Sequence, residues 1–251
     1  MESQGLRIHA YLAQMGLASR RKVEDYIQKG YIQVNGKPAR LGQLVQPGKD
    51  ALTFKGKQLN FPKMKKIVVV AVNKPRGVVS TSNDPERRAK VVDMVPKSLG
   101  RLYPVGRLDL MSEGLILLTN DGDLSYRLTH PKFEIPKTYE VKIRGRWDAS
   151  KQEYLEKGIR IGKEKFEPAK ILTVREAARR EGVEKTIITI QIHEGKYHHI
   201  RRLFEALKCH VIRLKRVSMG PVTIKGIPLG GYRVLSKARV EELHQFVGNE
   251  A

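Results

Sequence analysis

Residues 106–124 read GRLDLMSEGLILLTNDGDL, and they carry three signals. Leu115, Ile116, Leu117 and Leu118 run without a polar break, which suits a strand buried on both faces, and a strand is predicted over Leu115–Asn120. The polar turn at Asn120-Asp121-Gly122 ends it, and a helix over Leu124–Leu128 follows. Ahead of the strand, Asp109 stands between Leu108 and Leu110 in a short loop. A carboxylate among apolar neighbours needs a partner, because burying it alone is costly. Arg107 is the nearest candidate in sequence. On this stretch alone, a loop aspartate bonded to backbone amides is an equally good reading.

Outward from there, period and turn residues predict strands over Ile67–Asn73, Val78–Thr81, Tyr139–Arg144, Ala169–Arg175, Lys185–His193 and Val211–Val217. Helices are predicted over Lys151–Lys157, His198–Leu207 and Arg239–Val247. Several neighbouring strands have links too short for helical crossovers. An α+β domain with a largely antiparallel sheet and flanking helices is therefore expected. Three further segments carry polar or basic groups: NKPRGVVST (Asn73–Thr81), KTYEV (Lys137–Val141) and HEGKYHHIRRLFEAL (His193–Leu207). Each is weak by itself. They are a turn, a strand-favouring tyrosine and a basic helix face.

Residues Leu6–Phe54 read as a separate small unit. Ile8, Leu12 and Met15 repeat at helical spacing, and Ser19 can cap a second helix that carries Val23 and Ile27 and stops at Gly30. Tyr31–Val34 then meets Asn35-Gly36, a tight-turn pair, and a strand over Ala51–Phe54 follows Pro47-Gly48. Arg20, Arg21 and Lys22 stand at the start of the second helix, where cations oppose the helix dipole. An external anion such as a phosphate would relieve that conflict. The basic connector Phe61–Lys66 marks the boundary, giving domains at 5–62 and 66–248.

Composition narrows the partners. The 48 Lys and Arg outnumber the 26 Asp and Glu, for a net charge of +22, and a polyanion is the natural counterpart. Hydrophobic residues at 40% are too many for a disordered chain. Cys209 is the only cysteine, so no intrachain disulfide can form, which fits a reducing compartment. The longest apolar run, Ile67–Val72, is too short to span a bilayer, and Met1–Gly16 does not read as a signal peptide. A cytoplasmic protein without membrane association is expected. His198-His199 lacks the surrounding ligands of a metal site, and no Walker-type loop or GxSxG turn is present.

Taken together, these stretches resemble known families. LRIHAYLAQMGLASRRKVEDYIQKGYIQVNGK (Leu6–Lys37) resembles the small RNA-binding (alpha-L) module named after a ribosomal protein of the small subunit. GRLD followed by GLILLTNDG, with the other three segments in order, resembles the pseudouridine synthases that act on bacterial ribosomal RNA. The nearest branch is that of small-subunit synthase A and large-subunit synthases B, E and F. The resemblance implies the pseudouridine synthase fold, a bifurcated mixed sheet, working without metal or organic cofactor. It also implies that Asp109 is the catalytic aspartate, Arg201 its guanidinium partner, and Tyr139 a stacking platform that can help remove the C5 proton. Arg107 would fill the gap left by a flipped uridine. Arg20, Arg21, Lys22, Lys74 and Arg202 are expected on phosphates. The expected partner is a structured stem-loop of ribosomal RNA bound by a monomer, with large-subunit RNA favoured by the double arginine of the last segment. Ser112 stands where threonine is common and His199 where glutamine is common, which bears on substrate details. The alternative is a non-catalytic RNA-binding or ribosome-assembly factor, which would have no use for Asp109, Arg107, Tyr139 and Arg201 together.

Overall fold

A computed structural model describes residues 5–60, 66–180 and 183–249, and the chain divides into two compact units. One holds the chain up to Ile67 with Asn120–Gly122; the other holds Val68–Thr119 and the chain from Asp123 on.

In the first unit, β1 (Leu6–Arg7), α1 (Ile8–Gln14), α2 (Arg20–Gln28), β2 (Ile32–Val34), β3 (Lys37–Pro38), β4 (Leu44–Val45), β5 (Leu52–Phe54) and β6 (Lys57–Gln58) follow in order. The helical spacing of Ile8, Leu12, Val23 and Ile27 turns these side chains onto Ile32, Val34 and Leu52 in one small core. Ser19 caps α2 by accepting from the Lys22 amide at 3.2 Å. Asn35 and Gly36, both at positive φ, make the tight turn from β2 to β3.

The second unit contains β7 (Val69–Lys74), β8 (Tyr103–Val105), β9 (Glu113–Thr119), α3 (Gly122–Thr129), β10 (Lys137–Arg144) and α4 (Gln152–Lys157). The hairpin β11 (Ile159–Ile161) and β12 (Glu164–Phe166) comes next, then β13 (Lys170–Arg180), β14 (Val183–Ile192) and α5 (His199–Ala206). The chain closes with β15 (Val211–Met219), β16 (Val222–Thr223), β17 (Tyr232–Val234) and α6 (Lys237–Asn249). The main sheet has the order β13-β14-β10-β15-β9-β7-β17, with β16 on β15 and β8 on β9. Its pairs are antiparallel except β15 with β9, joined in parallel at Lys215–Glu113 and Arg216–Gly114. Every residue of β7 and β9 is buried, which is why those strands read as unbroken apolar runs. Val70, Val72, Ile116 and Leu118 pack on one face with α4 and α5; Val69, Ala71, Leu115 and Leu117 pack on the other with α3 and α6. Cys209 is buried in the first of these layers.

The predicted strand at Val78–Thr81 does not form. Val79 makes a single bridge to Lys90, and the Ser80 hydroxyl instead joins the Leu108 backbone. The small strands β11, β12, β16 and β17 were not read from the sequence, since their two or three residues leave no period to detect.

Candidate active site

The loop from β8 to β9 carries Asp109, and the segment after β7 holds that loop in place. Ser80 Oγ donates to the Leu108 carbonyl at 2.8 Å and accepts from its amide at 3.1 Å, while the Gly77 amide donates to the Leu110 carbonyl at 2.9 Å. Ser112 closes the turn, its amide on the Asp109 carbonyl at 3.0 Å and its hydroxyl 3.5 Å from Oδ2. This pinning explains why NKPRGVVST belongs to the site although it contributes no reacting group.

Asp109 lines a cavity of about 120 Å3, which suits one small planar group. Tyr139 forms part of its wall. The alternation of β10 buries Lys137, Tyr139, Val141 and Ile143 on one face, and Tyr139 sits opposite Arg216 of β15. Arg107 also lines the cavity; it is solvent-exposed and has no hydrogen bond or ion pair among the described residues. Arg201, on the first turns of α5, does not form the expected ion pair with Asp109. Its Nη2 donates to the Met111 carbonyl at 3.1 Å, so the loop backbone has captured the guanidinium. Burial lowers the Arg201 pKa, and the nearby Asp109 carboxylate opposes that shift. Besides Ser112, His198 also meets the Asp109 carboxylate, with Nε2 at 3.6 Å from Oδ1.

Buried cations lie in the cavity wall, Lys137 and Arg216, and near it, Lys74. Lys74 was expected on a phosphate but is fully buried, so its ammonium cannot reach one; Nζ donates to the Pro75 and Val78 carbonyls at 3.0 and 2.8 Å. Burial pushes its pKa down to about 8, and Asp109 and Glu113 oppose that shift. Lys137 donates to the Ile135 and His193 carbonyls and is likewise pushed down to about 8 by burial, with Arg216 adding to the shift. Arg216 Nε donates to the Leu115 carbonyl at 2.7 Å. Glu113 is buried and accepts from Arg213 Nε at 2.5 Å, with Arg76 Nε at 3.6 Å. Arg202 is already engaged, paired with Glu164 and lying 4.6 Å over the Phe166 ring.

The two adjacent histidines diverge. His198 faces Asp109, while His199 is buried 3.6 Å from Glu194 and edge-on to Phe166, and burial drives its pKa down to about 4. In the first unit, Arg20, Arg21 and Lys22 are exposed; Lys22 pairs with Asp25 at 3.0 Å, and no acidic residue stands in the first turn of α2.

The family described as RNA pseudouridylate synthase matches residues 68–206, which include Asp109, Tyr139 and His198 and most of the second unit. The chain belongs to that family. The S4 domain matches residues 6–50 of this synthase. It is 36% identical to Ribosomal large subunit pseudouridine synthase B of Bacillus subtilis (strain 168), over 94% of this chain and 95% of that protein. With the protein of the same name from Escherichia coli (strain K12) it shares 35% identity over 96% of this chain and 83% of the relative. A solved pseudouridylate synthase matches with a TM-score of 0.65 at 28% identity, covering 95% of this chain and 99% of the other. Among the described residues, no helix of the synthase is long and apolar enough to cross a membrane.

Sequence reasoning missed His198, Lys137 and Arg216 as parts of this site. Lys137 had a signal, since it shares the β10 face with Tyr139 two residues away. His198 lay in a segment the sequence did single out, but its neighbour Asp109 is distant in sequence; Arg216 meets the site from a distant strand, and nothing local marks it.

Proposed function

We propose that this synthase converts a uridine of large-subunit ribosomal RNA to pseudouridine, with Asp109 as the catalytic carboxylate. The reaction breaks the N1–C1′ bond, turns the base and joins C5 to C1′. N1 gains a proton and C5 loses one, so no co-reactant is consumed. A carboxylate serves this chemistry by attacking either the sugar or the base, and both uses need it ionised. The observation that carries the reading is the convergence of Asp109 and Tyr139 on one small cavity.

In this reading Tyr139 stacks on the target base, and its hydroxyl helps remove the C5 proton. Arg107, exposed at the cavity and unpaired among the described residues, fills the space the flipped uridine leaves. Arg201 exchanges the Met111 carbonyl for the Asp109 carboxylate when RNA arrives, and Arg202 exchanges Glu164 for a phosphate. Residues 5–62 deliver a structured stem-loop through Arg20, Arg21 and Lys22; residues 66–248 carry the chemistry, and the protein works as a monomer. The names of the relatives support large-subunit RNA as the substrate.

Mapping pseudouridines in ribosomal RNA from cells with and without the protein tests this. The expected result is the loss of a large-subunit pseudouridine. An unchanged map, or a site lost from small-subunit or transfer RNA, would overturn the assignment.

A further inference from the structure

We propose that Tyr197 and His198 form a stacking platform for the nucleobase next to the flipped uridine. The proposal rests on the cavity being the seat of the target base. Tyr197 is 67% exposed, yet its ring is ordered by contact with a neighbour: it stacks on the His198 imidazole at 4.0 Å between centroids and 14° between planes. One tyrosine face is therefore covered and the other looks into solvent. His198 fixes where that pair stands. Its ring lines the cavity and its Nε2 lies 3.6 Å from the Asp109 carboxylate. Its backbone is left-handed at φ 49, a conformation unusual for a residue with a side chain, and it caps the start of α5.

The surroundings match a strand of RNA. Arg107 and Lys196 line the same cavity, Lys196 paired with Glu194 at 2.6 Å, and Arg201 stands on the Met111 carbonyl of the Asp109 loop; exposed Arg107 brings positive charge for a phosphate. The loop after Asp109 exposes Leu110 and Met111, so the site carries apolar surface beyond the platform. Flipping a uridine out of its stack strips each adjacent base of a partner on one face. An open tyrosine ring beside the cavity replaces that lost partner, and because every base has a flat face the contact adds affinity without selecting a base.

The test uses the full chain and an RNA hairpin carrying the uridine identified by mapping, with versions that have an abasic site at each flanking nucleotide in turn. Tyr197→Ala should raise Kd and KM for the intact hairpin roughly 5- to 100-fold, with kcat within about two-fold of wild type. Tyr197→Phe should bind like wild type. At one flanking position the abasic RNA should bind wild type and Tyr197→Ala equally well. Unchanged affinity in Tyr197→Ala, or an equal loss on intact RNA and on every abasic RNA, would overturn the platform. Tritium release by the wild type reports separately on the reaction. A wild type that releases none but still loses affinity for one abasic RNA would refute the reaction and leave the platform standing.

Discussion

In the proposed reading Tyr139 offers a ring to a base and a hydroxyl to a proton, and substitution separates the two. Tyr139→Phe should keep RNA affinity and lose on the order of 100-fold in kcat. Tyr139→Leu should also weaken binding, because the stacked face is gone. Equal turnover of Phe and Tyr in a single-turnover assay would leave the hydroxyl without a chemical role. The buried lysines make a second prediction, about stability. Lys74 and Lys137 sit at about 8 when folded against 10.5 ordinarily. Between those values the unfolded chain binds more protons, so stability should rise with pH across that window. Lys137→Met should remove up to about 3 kcal/mol of the rise, read from urea unfolding on either side of the window; an unchanged slope would contradict the shift. At this scale the apolar neighbours of Asp109 left its role open, and it was the resemblance of the four segments together that singled out Asp109 and Tyr139. The sequence could not mark His198 as the neighbour of Asp109, nor show that Lys74 turns inward, because side-chain direction at a turn depends on which carbonyls the fold presents.

Elements meet most tightly where β9 joins β15 in parallel. Gly114 has φ +105, and a Cβ there would lie 2.2 Å from the Arg216 carbonyl oxygen and 2.7 Å from its amide nitrogen. Both obstacles are backbone and cannot swing aside. Gly114→Ala should therefore cost at least about 3 kcal/mol. Gly145→Ala, also at positive φ but with nothing within 4 Å, should cost about 1 kcal/mol. Equal losses in denaturant unfolding would show that the crossing can relax. In the proposed reading the crossing bears on function, because it sets Glu113 and Arg216 beside the loop that bears Asp109. The buried strands were legible as apolar runs and α5 as a periodic helix. The parallel join was not, since two residue pairs between strands a hundred positions apart leave no trace in either segment. Val78–Thr81 has strand composition, and a hydroxyl bond to a distant loop overrides it.

Across the whole molecule, the proposed reading divides the work between the two units. Neutralising Arg20, Arg21 and Lys22 together should weaken RNA binding and flatten its salt dependence by about 0.7–0.9 log units per lost phosphate contact. At saturating RNA, kcat should stay near normal, because the reacting groups belong to the other unit. A fall in kcat with unchanged KM and salt slope would mean that the first unit shapes the active site. The net charge of +22 made an anionic partner legible, and the three cations in the first turn of α2 marked an expected phosphate contact. Which uridine is chosen was not legible, because RNA shape and flanking contacts decide it. The central claim concerns one carboxylate. Asp109→Asn keeps the size of the side chain and removes its charge, so RNA affinity should stay within a few-fold while tritium release from C5-labelled uridine falls to background. Release at the wild-type rate from Asp109→Asn would contradict the account.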